Sequence, residues 1–270
     1  MSLIAIGDLS PRDVEAIWAL ASASDVALSG TVAWSFEGNG IRTRTTFIQA
    51  FRDLGLQFTE LPNLRKTGER GEDLAGYLDP FFSLYVVRES DHERLAAFAR
   101  ASSRPVINAM SRRGHPCEVL TDAYFIDRWL KPLREATVCL WGPTTNVFRS
   151  WHELAAVLDL RVVQVCDERY HEPGTAVRFL CEAPAQADVV ITDAWPAEPL
   201  GVPVPLEDAH LVRMGSSALL PTPPFKVGGE LLLDPLRYTG FVGYRQKELL
   251  LPVQKAIIRH VLDQSSRSAR

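Results

Sequence analysis

Residues Trp34–Gly55 read WSFEGNGIRTRTTFIQAFRDLG, and this stretch decides how the rest of the chain is parsed. The apolar segment Thr31–Phe36 has the character of a buried strand. From Thr43 onward the apolar positions Phe47, Ala50, Phe51 and Leu54 keep helical spacing. Between strand and helix, Gly38 and Gly40 permit positive φ and a close approach of backbone to a ligand, while Arg42 and Arg44 stand where the helix begins and its free N–H groups point outward. The stretch therefore predicts a strand, an anion-sized turn and a helix. The plainer alternative is a tight turn with two solvated arginines.

Outward from this unit the pattern repeats. Ser10-Pro11 followed by Val14, Ile17, Trp18 and Ala21 predicts a first helix with an N-cap and a proline at its first position. Strands are expected at Phe81–Val87 and Pro105–Ala109, and helices at Asp91–Ala101 and Pro116–Leu130. Lys131-Pro132 breaks the series. It resumes with the strand Thr137–Trp141, the helix Val147–Leu158 and the strands Arg161–Cys166 and Asp188–Thr192. Alternation of this kind predicts an α/β fold with parallel sheets covered by helices, divided near residue 131. The proline- and glycine-rich segment 196–235 reads as loops with short strands such as His210–Met214. A final helix is expected over Tyr244–Leu262, with the polar tail after Asp263 frayed.

Composition sets outer limits on function. The chain has 270 residues, 46% hydrophobic and 23% charged, enough for two domains or one large one. A net charge of −4 argues against nucleic acid or an anionic membrane as the main partner. No apolar run approaches the ~20 residues of a membrane span, and the N-terminal segment lacks the basic start and cleavage site of a signal peptide, so a cytoplasmic location is expected. Cys117, Cys139, Cys166 and Cys181 are widely spaced and suggest neither a metal site nor a disulfide framework; most are expected to be buried small hydrophobes.

The letters themselves carry more than the pattern. FEGNGIRTRTTF resembles the FExPSTRTRxSF signature of the aspartate and ornithine carbamoyltransferase family. Four further stretches fall in the family's order: KTGERGEDLA (66–75) is similar to KGESLEDTA, GHPCEVLTD (114–122) to HPxQxLxD, ADVVITDAW (187–195) to ADVVYTDxW, and GYRQKELLLPVQKAI (243–257) to FxQxENxxxVxxA. Together they cover nearly the whole chain. The resemblance implies two doubly wound parallel-sheet domains, with a carbamoyl phosphate-binding-like domain over residues 1–130, completed by a returning C-terminal helix (244–265), and an amine- or amino-acid-binding-like domain over 131–243. It implies no cofactor and no metal, and it implies a homotrimer in which the loop Lys66–Gly71 reaches a neighbour's site.

Carried over by position, Thr43, Arg88 and His115 match the family's contacts to the carbonyl oxygen and would form an oxyanion hole. Arg42 matches a phosphate contact. Gly40 and Ile41 stand where the family has Ser and Thr, its loop lysine aligns with Thr67 beside Lys66, and its arginine in the E-N-R segment aligns with Leu250. Glu118 replaces the glutamine that accepts from the carbamoyl NH₂. It reads equally as a site carboxylate or as an ordinary first-turn helix acid. Asn146 and Asp193 match positions holding the amino-acid substrate. The ornithine S-M-G signature is replaced by Ala197-Glu198-Pro199, and the H-C-L-P segment survives only as Leu220-Pro221.

The resulting expectation is a divergent carbamoyltransferase, moving a carbamoyl group from carbamoyl phosphate, or another carbamoyl donor, to an amine or amino acid that is neither ornithine nor aspartate. Two alternatives stay open: a non-catalytic relative that binds a metabolite or partner, and an enzyme acting on the carbamoyl or amidino group of a ureido or guanidino compound. Specialised metabolism is the expected setting.

Overall fold

The computed structural model describes residues 1–268, other than 63, 65, 66 and 197–202. The described residues fall into two compact units, 1–121 with 249–268 and 122–248.

In the first unit, α1 (Pro11–Ala21) opens on a capping box in which the Ser10 hydroxyl accepts from the Asp13 amide and the Asp13 carboxylate accepts from the Ser10 amide. Four strands follow, β1 (Thr31–Phe36), β2 (Gln57–Glu60), β3 (Leu84–Arg88) and β4 (Val106–Met110). They form a parallel sheet in the order β2-β1-β3-β4, with Phe36 beside Arg88 and Arg88 beside Met110. The strands are separated by α2 (Ile41–Asp53), α3 (Gly71–Leu78) and α4 (His92–Ala101). Side chains alternate along β1. Ala33 joins the core formed with Tyr85, Val87, Leu95 and Phe98, while Trp34 packs on the other face against Phe47 and Phe51 of α2, with ring centroids at 5.7 and 5.5 Å. These aromatic pairs fix α2 against β1 and so fix where its N-terminus lies.

The chain crosses to the second unit within α5 (Pro116–Phe125), which ends in a π-turn at Ile126–Leu130. Here β5 (Thr137–Trp141), β6 (Arg161–Val165), β7 (Arg178–Leu180), β8 (Val189–Thr192) and β9 (Ala218–Pro221) form a parallel sheet in the order β7-β6-β5-β8-β9. Accompanying helices are α6 (Asn146–Leu158), α7 (Asp208–Arg213) and α8 (Gly243–Lys247). The last helix, α9 (Leu250–Ser268), belongs again to the first unit and packs on α1 and α2. His260 of α9 meets Asp13 at 3.1 Å, and Lys255 reaches Asp25 and Asp53.

Three expectations are corrected. The segment His210–Met214 lies in and just after α7 rather than in a strand, because its two buried apolar residues, Leu211 and Met214, are three apart and the His210 ring caps the Glu207 amide. The expected single final helix is two, α8 and α9, and α9 runs past Asp263 to Ser268, tied by Ser265 and Ser266 hydroxyls to carbonyls one turn earlier and by the N-terminal amine to Ser265. Strands β2, β7 and β9 and helix α3, none of them assigned from the sequence, complete the two sheets and their cover.

Candidate active site

The first sheet reverses its winding between β1 and β3, and an open α/β sheet of this kind offers its binding crevice at the carboxyl ends of the strands flanking such a reversal. Gly40 precedes α2 there with φ 34° and ψ 38°, a left-handed conformation, and caps the helix with no side chain. A Cβ at Gly40 would lie 2.4 Å from the Phe36 ring and 2.8 Å from the Arg88 guanidinium, so glycine is what allows the turn to close on both. The first amides of α2 are left to the open end of the helix, the geometry and dipole that favour an anion.

The charges at this end are not equivalent. Arg44 is held by Glu60 at 2.5 Å, with its guanidinium 5.2 Å from the Phe36 ring centroid. Arg42 is exposed. Arg88 is partly buried, lies 5.5 Å from the same ring centroid, and has no ion-pair partner among the described residues. Burial pulls its pKa down and the Arg42 charge pulls it further, against Glu37. Two neighbouring cations, one of them desolvated, are an electrostatic cost that a bound anion would relieve. Glu37 accepts from the Ser90 amide at 2.7 Å and bonds through its own amide to the Arg88 carbonyl, which holds the ends of β1 and β3 in register.

Thr43 is buried on the first turn of α2. His115 follows a tight loop at the carboxyl end of β4. Ser111 exchanges hydrogen bonds with Gly114, its hydroxyl also meets Asn108 and lies 2.9 Å from the His92 ring, and Pro116 then starts α5. Glu118, only 5% exposed, is in the first turn of that helix. Gly40, Arg42, Thr43 and Arg88 are thus gathered at the β1 and β3 ends, with His115 and Glu118 at the β4 end of the same sheet. Ile41 is 69% exposed, and Lys66 lies outside the described residues. Sequence reasoning overlooked Glu37, Asn108 and Ser111, which position the site residues; Glu37 lay within the quoted signature.

The second unit has its own reversal, between β5 and β8. Asn146 begins α6 after β5, and Asp193 directly follows β8. The Asp193 carboxyl bonds with Thr145 and with the Ala194 amide, and desolvation outweighs these bonds to push its pKa up to about 6. Asp122 is 1% exposed, accepts from Gln246 at 2.5 Å, and is raised well above the carboxylate range by burial first and by the Asp193 charge as well. Gly142, at φ 126°, lies against the Trp195 indole. Leu220 is buried within β9, beside Ile191. Trp195 and Gln246 stood in the quoted motifs without an assigned role. Among the described residues no cluster of three or more His, Cys, Asp or Glu side chains is arranged to hold a metal ion.

Residues 2–128 match the profile of the family described as aspartate/ornithine carbamoyltransferase, carbamoyl-P binding domain. The ornithine carbamoyltransferase of Methanopyrus kandleri is 30% identical over 95% of this chain and 95% of its own length. That of Chlorobaculum tepidum is 32% identical over 61% of this chain and 54% of its own length, and that of Archaeoglobus fulgidus 32% identical over 64% and 61%. The matches to the latter two span less than two thirds of those relatives. Among solved structures, the ornithine carbamoyltransferase of Thermus thermophilus superposes with a TM-score of 0.87 at 25% identity over 97% of this chain and 98% of its own, and that of Burkholderia thailandensis with a TM-score of 0.85 at 22% identity over the same shares.

Proposed function

This chain belongs to the aspartate/ornithine carbamoyltransferase family, a family of transferases, and from that premise we propose that it transfers a carbamoyl group from carbamoyl phosphate to an amine or amino acid other than ornithine and aspartate. The observation that carries the donor is the partly buried Arg88, without an ion-pair partner among the described residues, beside Arg42 at the uncapped start of α2. In this reading Arg42, Gly40 and Ile41 serve the phosphate, Lys66 is assigned to it by sequence alone, the first unit is the donor-binding domain, and Asn146, Asp193 and Leu220 of the second unit serve the acceptor.

The chemistry follows from the groups present. A neutral acceptor nitrogen attacks the carbonyl carbon, the C=O electrons move to oxygen, and Thr43, Arg88 and His115 stabilise the oxyanion. The C–O bond to phosphate then breaks, the leaving phosphate takes the electron pair at the N-terminus of α2, and the nitrogen gives up its proton. Glu118 in place of the family's glutamine, together with the replaced S-M-G segment, supports an acceptor outside the two standard ones. The S-M-G replacement lies in residues 197–202, outside the described part. The same buried Glu118 supports a second reading, in which the site holds a cationic guanidino compound and acts on its amidino or a ureido group.

Calorimetric titration of carbamoyl phosphate and of inorganic phosphate tests the donor assignment. Arg42→Ala and Arg88→Ala should each weaken binding by roughly 10- to 100-fold, the loss of one charge-assisted hydrogen bond worth about 1.5–3 kcal/mol. Unchanged affinity in both variants would remove the anion site.

A further inference from the structure

The four cysteines carry no disulfide signature in their spacing, yet the fold brings two of them side by side. Strands β6 and β7 pair in parallel with Val165 beside Leu180, and the ladder continues one residue further through the Cys166 amide, which donates to the Leu180 carbonyl at 3.0 Å. That bond sets Cys166 opposite Cys181. Neighbouring strands run ~4.8 Å apart, which falls within the ~4.4–6.8 Å between Cα atoms that a disulfide bridges. Both residues line one open cavity of about 490 Å³ at the carboxyl ends of β5, β6 and β7, lined also by Trp141, Glu168, His210 and Arg213. None of Asn146, Asp193 or Leu220 lines it. Cys181 is exposed and Cys166 buried.

We propose that Cys166 and Cys181 form a dithiol site, oxidised through the cavity by a low-molecular-weight disulfide to an intramolecular disulfide. The exposed partner reacts first. The Cys181 thiolate attacks one sulfur of the small disulfide, whose S–S bond breaks and releases one small thiolate. Cys166 then loses its proton to solvent and attacks the Cys181 sulfur, expelling the second small thiolate. The protein gives up two electrons and two protons, and the small disulfide becomes two thiols. Burial holds the Cys166 thiol up to about 12, with the Cys181 charge adding to the effect. The buried Cys166 is thus the less reactive of the two toward an external disulfide, and serves as the resolving rather than the entering group.

Incubation of the purified protein with oxidised glutathione, followed by intact-mass analysis and a non-reducing peptide map, tests the site. The wild type should lose two hydrogens, carry no glutathione adduct and show a peptide linking 166 to 181. Cys166→Ser should instead accumulate the mixed disulfide at Cys181, at least about tenfold above wild type, because nothing displaces the second thiol. Cys181→Ser should acquire neither adduct nor link. A stable adduct on Cys181 in the wild type, or links that use Cys117 or Cys139, would overturn the proposal. The wild-type peptide map decides it even if the buried Cys166→Ser substitution does not fold.

Discussion

Arg88 and Glu118 show how much a single position can carry in this protein. An arginine at a strand end is ordinarily solvated; here it is partly covered and set beside a second cation, with the Glu37 charge acting on it but no direct ion pair among the described residues. Glu118 brings a buried carboxyl group to the same sheet end, on the helix that follows His115. If the protein uses carbamoyl phosphate as proposed, Glu118→Gln restores an amide and removes repulsion of a dianion, so carbamoyl phosphate should bind more tightly and turnover should hold or rise. If Glu118 instead grips a guanidino cation, the change removes a bond of about 1.5–3 kcal/mol, and turnover should fall by roughly one to two decades. Parallel measurements of affinity and turnover in the variant separate the two, and no change in either would leave Glu118 as a first-turn helix acid.

Elements were legible to the extent that one side chain period governed them. Strand β1 and helix α2 were readable because Trp34, Phe47 and Phe51 both announce the period and supply the packing. Helix α7 was not, since a six-residue element holds little more than one turn and a half, and the adjacent apolar pair Leu211-Val212 reads locally as the centre of a short strand. Strands β7 and β9 have three and four residues, too few to show alternation. The candidate site was read from letters rather than from spacing: Thr43 and His115 stand in quoted motifs and Arg88 was carried over by position, whereas the Glu37 and Ser111 contacts depend on loops whose course no local pattern reveals.

At the same scale, the turn between α3 and β3 is organised by Asp79. Its carboxylate accepts from Tyr85, from the Ser102 and Ser103 hydroxyls and from the Ser103 amide. Burial raises its pKa, but these bonds outweigh it and the net shift is downward. A depressed carboxylate stabilises the fold above the unfolded value of ~3.9 and loses that contribution as pH falls through its folded value. Asp79→Asn should therefore lower the unfolding free energy at pH 7, by about 1–3 kcal/mol, and flatten its decline below pH 4. Urea melts of both proteins across that range check this, and parallel acid limbs would contradict it.

On the scale of the whole molecule, two parallel-sheet units each present a winding reversal, and the last helix returns to the first unit. The first unit leaves Tyr77 and Phe81 about three-quarters exposed, large apolar side chains suited to an interface between copies. We expect a homotrimer, to be checked by light scattering at micromolar concentration; a monomer there would contradict it. Carbamoyl transfer itself is tested most directly by turnover of carbon-labelled carbamoyl phosphate against a panel of amines and amino acids that includes ornithine and aspartate. The predicted result is a labelled carbamoyl-amine formed fastest with a panel member that is neither of those two, and lost when Arg88 is replaced by alanine. Transfer to ornithine or aspartate ahead of every other amine, or labelled product formed equally well by Arg88→Ala, would contradict the account.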